Sequence, residues 1–225
     1  MLLTAFSPGA GLTSNEQYPT MAPLSRYLIA DRQAEIDLAR SAAPPAISLH
    51  ATIVVLGRHG YETAENGSNG FTCIVERSWM DAFDDYNFWN WKQRAPTCYN
   101  APAARTVMQY TYRRTDLVLA GLSKAQMLQR INEAVAAKQL PTPEPGAMAY
   151  MMSKDQYLGD DGKQWYPHVM IYAPKEYGAN DGASWGADMR GSPVIYDSQH
   201  KTFPEPATVF FIPVWHWSDG THVSL

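Results

Sequence analysis

The sequence predicts an α+β fold: a mainly antiparallel sheet of about five strands with two or three packed helices, in a single domain. Three observations carry this reading. Strand-like runs at 148–152, 168–172 and 208–212 follow one another with no helical pattern between them, which suits an antiparallel meander. Helical spacing is confined to two or three other segments, so the strict β–α alternation of a doubly wound parallel sheet is missing. The 225 residues are 45% apolar and only 18% charged, enough to bury a core and too apolar for general disorder.

The elements follow in order. Residues 1–22 are rich in Gly, Ser, Thr and Pro without periodicity and read as a flexible arm, leaving 23–225 as the domain. Pro23 suits the first position of a helix, and Leu24, Leu28, Ile36 and Ala39 recur at helical spacing until Pro44-Pro45. From Ile47 to Leu56 the text turns β-branched and predicts a strand. Asn66-Gly67 and Asn69-Gly70 mark turns. Phe71 to Glu76 predicts a second strand, antiparallel to the first. Residues 79–99 interleave Trp79, Phe83, Phe88, Trp89 and Trp91 with acidic residues at a spacing that fits neither helix nor strand, so they read as an aromatic insertion whose rings pack the loop onto the body, with a stacking platform for a ligand as the alternative. Residues 103–120 are ambiguous, because Val107 to Tyr112 alternates while Leu117 to Ala120 does not. Ser123 with Gln126 forms a capping box, opening a helix that runs to about Lys138. Pro141 to Gly146 is a rigid connector, and Gly159 to Gly162 and Ser218 to Thr221 are turns.

Composition narrows function. Lys+Arg 18 against Asp+Glu 22 leaves a net charge of −4, with no basic excess for phosphates, so a nucleic-acid partner is not expected. No apolar run reaches the length of a membrane span. Cys73 and Cys98 are an even pair closing a modest loop, as an exported protein would use. Two free thiols in a reducing compartment would read the same, and we expect the disulfide. Met1 to Phe6 has no basic segment and too short an apolar stretch for a signal peptide, so export would require a leader already removed. The sequon Asn66-Gly67-Ser68 carries little weight.

Chemistry-bearing patterns are sparse. Gly182-Ala183-Ser184-Trp185-Gly186 matches a nucleophile elbow, but no predicted strand runs into Ser184 and no helix leaves it, so a loop is the better reading. The six histidines form no local zinc signature, and no metal site is assigned. No nucleotide-binding glycine motif occurs, and no cofactor is expected. Asp160 and Asp161 lack the pattern of a calcium loop. Met148, Met151, Met152 and Met170 read as core filling. His168, held by Pro167 at the head of an apolar strand, is the candidate ligand or general base. Glu76 is its candidate acid–base partner if it points inward. A hydrogen-bonded structural histidine and a Glu76–Arg77 ion pair are the plainer alternatives.

Several stretches resemble a family of uncharacterised exported bacterial proteins. They are Asp31 to Ile36, Asn69 to Arg77, Pro145 to Ser153, Pro167 to Met170 and Trp217 to Thr221. The resemblance covers roughly residues 27–221 and implies a compartment, periplasmic or secreted, rather than a reaction. It also strengthens the expectation of a disulfide. Relatives carry His-Pro-His where this chain has Tyr166-Pro167-His168, which argues against a two-histidine metal site there.

The leading functional expectation is a cell-envelope binding protein whose aromatic-lined site takes a small organic or glycan ligand, with Trp89, Trp91, Tyr172 and Arg77 as contacts. The first alternative is a hydrolase-like enzyme using His168 and Glu76, with or without a metal. The second is a structural or assembly component. Oligomeric state is not legible.

Overall fold

Strand β1 (Thr52–Gly57) is buried on both faces, which accounts for its unbroken Ile53-Val54-Val55-Leu56 run. It sits inside a seven-stranded sheet whose order is β2-β1-β3-β4-β5-β6-β7. The other strands are β2 (Gly60–Glu65), β3 (Thr72–Glu76), β4 (Ala95–Tyr99), β5 (Met148–Met151), β6 (His168–Pro174) and β7 (Ala207–Pro213). The helices are α1 (Arg32–Arg40), α2 (Pro45–Ser48), α3 (Ala101–Arg105), α4 (Met108–Leu119) and α5 (Lys124–Ala136). These come from a computed structural model that describes residues 17–160, 164–175 and 203–223. The elbow match at Gly182 to Gly186, most of the predicted arm, Asp161 and His200 lie outside the described residues.

The α+β class and the meander β5-β6-β7 are as the sequence predicts, with β5–β6 and β6–β7 antiparallel. The capping box is also present, with Ser123 Oγ accepting from Gln126 N and Gln126 Oε1 accepting from Ser123 N at 2.9 Å. The sheet has seven strands among the described residues rather than about five, and it is mixed. β3 pairs with β1 in parallel, not antiparallel, with Thr52 opposite Thr72 and Val54 opposite Ile74. The unread strand β2 is the reason. A two-residue turn at Arg58-His59 sends β2 back antiparallel along β1, Gly57 facing Gly60. Residues 66–71 then pass beneath the start of β1, with Gly67 N donating to Thr52 Oγ1 at 3.0 Å and Ser68 N donating to His50 O at 2.8 Å. The chain so begins β3 on the other side, running the same way as β1. β2 escapes the sequence pattern because it is a polar edge strand, Tyr61-Glu62-Thr63-Ala64-Glu65.

The predicted helix from Pro23 to Pro44 is broken. Leu24–Arg26 forms one 3-10 turn. Tyr27 then turns into the core, where its carbonyl accepts from Arg77 Nε at 2.7 Å and its hydroxyl donates to Trp89 O at 2.9 Å. Asp31 caps a fresh helix by accepting from Gln33 N. The insertion 79–99 likewise contains strand β4. Pro96 hides it from a strand pattern, yet β5 pairs only with Cys98 and Tyr99, so Pro96 sits on a locally unpaired edge. The ambiguous stretch 103–120 is helical. α3 is capped by Asn100, which accepts from Ala103 N.

Two apolar layers flank the sheet. Ile36, Ala39, Ala42 and Ala43 cover Ile53, Val55, Cys73, Val75 and Cys98 on one face. On the other, Val54, Leu56, Ile74, Tyr99 and Ala149 meet Tyr27, Trp79, Phe88 and Trp89, together with Tyr110, Met127 and Ile131 of α4 and α5. The aromatic insertion is therefore largely core. Cys73 and Cys98 face each other across β3 and β4 and form a disulfide. Among the described residues no helix is long and apolar enough to cross a membrane.

Candidate functional site

The β1–β2 turn projects Arg58 and His59 into solvent. Its tightness requires Gly60, whose φ of 116° is open to few other residues. The C-terminal turn of α4 and the 3-10 turn at Leu24 lie beside it. Between them is a cleft of about 330 Å³, with Met21, Leu24, Val118 and Leu119 as apolar walls and Arg58 and His59 at the rim. A second cavity of about 200 Å³ adjoins it through His59 and is lined by Gly60, Tyr61, Tyr112, Thr115 and Asp116. The Tyr61 and Tyr112 rings lie tilted, 5.9 Å between centroids. Both phenols are held protonated, chiefly because burial disfavours the phenolate. The walls are anchored. Tyr61 Oη donates to Val75 O at 2.8 Å, and Trp79 Nε1 donates to Thr115 Oγ1 at 3.0 Å. Apolar walls and a guanidinium in the first cavity, and two tyrosines and a carboxylate in the second, suit a small organic molecule with a polar head.

A buried polar network lies behind this region. The Glu76 carboxylate accepts from Tyr99 Oη at 2.9 Å and from the hydroxyls of Thr111 and Thr97. Desolvation raises its pKa, and the three hydroxyls only partly offset that. Arg114 of α4 pairs bidentately with Glu205, Nε–Oε1 at 2.6 Å and Nη2–Oε2 at 2.8 Å, and also donates to the carbonyls of Trp79 and Asp81. Burial also raises the Asp81 carboxyl. These groups fasten α4 and the aromatic insertion to the sheet, and neither cavity is lined by them.

The residues singled out from sequence are dispersed. Glu76 and His168 share a face of the sheet but stand three strands apart, about 14 Å at ordinary strand spacing. His168 Nδ1 lies 2.7 Å from Tyr166 O; because a carbonyl only accepts, Nδ1 carries the proton. The His168 ring packs on Phe211 at 3.8 Å between centroids. Trp89 is buried edge-on against Phe88. Tyr172 is buried and stacked on Tyr99. Arg77 is wholly buried and paired with Glu35 at 2.9 Å, not with Glu76. Trp91 is partly buried and carries the Arg26 guanidinium 3.6 Å from its ring centroid. Sequence patterns do not single out Arg58, Tyr61 and Tyr112, since their convergence depends on strand β2. The one available signal was Gly57-Arg58-His59-Gly60, two glycines bracketing a two-residue turn.

The burial of His168 has a measurable consequence. Desolvation lowers its pKa from 6.5 to about 4. The folded imidazole stays neutral where the unfolded one takes up a proton. Its stabilising effect is therefore complete above pH 6.5 and is lost as pH falls from 6.5 toward 4, a loss of about 3 kcal/mol at the acid end. Urea midpoints measured across pH 7 to 4 should fall steeply in the native protein and less so in His168→Gln. Parallel pH profiles would refute this assignment.

Comparison with protein-family models, with curated proteins and with solved structures finds no match to this chain.

Proposed function

We propose that this chain is an exported cell-envelope protein that binds a small organic ligand in the cleft at the β1–β2 turn. The observation that carries the reading is the pair of adjoining cavities sharing His59, one with apolar walls and the other lined by Tyr61 and Tyr112. The Cys73–Cys98 disulfide supports export, because such bonds persist mainly in oxidising compartments. The Arg58 guanidinium at the rim favours a ligand with an anionic or strongly polar head over a neutral sugar.

The test is a thermal-shift screen of small carboxylates, aromatic acids and sugars. A ligand at a hundred times its Kd should raise Tm by about 5–10 °C. Arg58→Ala and His59→Ala alter exposed side chains, so each should leave the ligand-free Tm within about 2 °C of the native value and remove most of the shift. A shift that survives both substitutions but disappears in Trp91→Ala would move the site to the aromatic insertion and overturn this reading.

A further inference from the structure

At the opposite edge of the sheet, the chain leaves β7 and folds into a short hairpin over residues 215–223. Trp217 N donates to Thr221 O at 2.9 Å and Val223 N donates to Trp215 O at 3.0 Å. These two bonds flank His216 and His222, which form an antiparallel bridge. The two histidines are thus a non-hydrogen-bonded pair, the arrangement in which side chains on neighbouring strands stand closest on one face. Their rings are 4.1 Å apart between centroids and tilted by 50°. Both side chains are exposed. From this geometry we infer that His216 and His222 form a two-imidazole binding site for a divalent transition metal, with Cu(II) the best fit.

The ring spacing matches chelation. A metal about 2.0–2.1 Å from a ring nitrogen lies roughly 3.2 Å from that ring's centroid. Two centroids 4.1 Å apart then subtend an angle of about 80° at the metal, close to a cis pair in a tetragonal site. The hairpin is also held in place. Ser218 N donates to Met152 O at 2.9 Å, Val214 N donates to Pro167 O at 2.8 Å, and Lys154 Nζ donates to Asp219 Oδ2 at 2.7 Å. Gly220, at φ 83°, closes the turn. A pair fixed in this way loses little conformational freedom on binding.

The same contacts select the metal. Asp219, in the turn between the two histidines, is committed: Oδ1 accepts from Thr221 N at 2.9 Å and Thr221 Oγ1 at 2.6 Å, and Oδ2 accepts from Lys154. Those donors hold its pKa well below the usual carboxylate range. Among the described residues no three His, Cys, Asp or Glu side chains gather as ligands. Two imidazoles with solvent completing the shell do not make a closed tetrahedral zinc site. They do suit the square equatorial plane of Cu(II), which also heads the affinity order for nitrogen ligands. The six-residue separation of His216 and His222 matches no helix or loop metal motif, so only the hairpin register shows the pair.

The test adds Cu(II) alone to the full chain, prepared without affinity metal, and follows binding by calorimetry and electron paramagnetic resonance. The expected result is one tight equivalent with hyperfine structure from two equatorial nitrogens. His216→Ala and His222→Ala should each weaken Cu(II) binding by about tenfold or more and leave at most one of those nitrogens. Circular dichroism of the variants should match the native chain, since both side chains are exposed. An unchanged affinity and spectrum in the double variant His216→Ala/His222→Ala would overturn the site, as would a native spectrum showing a single nitrogen.

Discussion

Glu35→Ala should lower the unfolding free energy by about 3–5 kcal/mol. Glu35 lies on α1 and is 2% exposed; Arg77, just after β3, is 0% exposed. Glu35 Oε1 accepts from Arg77 Nη2 at 2.9 Å and from Leu56 N, a sheet amide, at 3.0 Å. Arg77 Nε and Nη1 donate to Tyr27 O and Val75 O. Truncating Glu35 therefore strands a buried positive charge and a buried backbone N–H together. Each is costly to leave unpartnered in a low-dielectric interior. Glu35→Gln retains an acceptor for Leu56 N and removes only the charge, so it should cost less. The paired variant Glu35→Leu/Arg77→Met removes both ions and should be more stable than Glu35→Ala alone, because the orphaned guanidinium is gone. Urea unfolding at unchanged m-value measures all three. A loss under about 1 kcal/mol for Glu35→Ala would show that solvent reaches Arg77 after all.

The disulfide should be worth about 3.5 kcal/mol, from the chain entropy of a loop closed across a sequence separation of 25. Both cysteines are fully buried in the layer beneath α1, so a soluble reductant has no approach to the folded protein. Two outcomes follow. Reductant under native conditions should leave the bond intact for as long as the protein stays folded. Protein unfolded, reduced and refolded in reductant should melt about 7–14 °C lower than the oxidised form. Calorimetry of the two preparations, with thiol counting before and after native exposure, checks both. Rapid native reduction would contradict the buried position of the bond, and equal melting temperatures would contradict its chain-entropy contribution.

Legibility from sequence followed local strength. The capping box at Ser123 and Gln126 and the strands of the β5–β7 meander were readable, because each is specified by adjacent residues. β2 was not, since an exposed edge strand needs no apolar alternation. The parallel pairing of β1 and β3 was lost with it, because the direction of β3 depends on whether an odd or even number of reversals precedes it. β4 was concealed by Pro96, whose tolerance rests on β5 ending short of it. The candidate cleft shared this fate: Arg58 and Tyr61 flank an unread turn, and Tyr112 lies on a segment ambiguous between helix and strand. The aromatic insertion reads both as core packing and as a binding platform, because composition does not fix which way a ring points. Trp79, Phe88 and Trp89 point inward. Glu35 is the converse case, a carboxylate outside the apolar positions of its helix that is nevertheless a buried anchor.

The crossing beneath β1 separates exposure from tolerance. Residue 67 sits on the surface, where substitution is ordinarily free. A Cβ on Gly67 would nevertheless come within 2.2 Å of Thr52 N and 2.3 Å of Ala51 C, both rigid backbone atoms. The position is therefore closed to every side chain, alanine included. A map of permitted substitutions along this chain would show an invariant glycine in a solvent-exposed loop and invite a search for catalysis or binding. The cause lies instead in topology: one hydrogen atom's worth of room lets the chain pass from one side of β1 to the other.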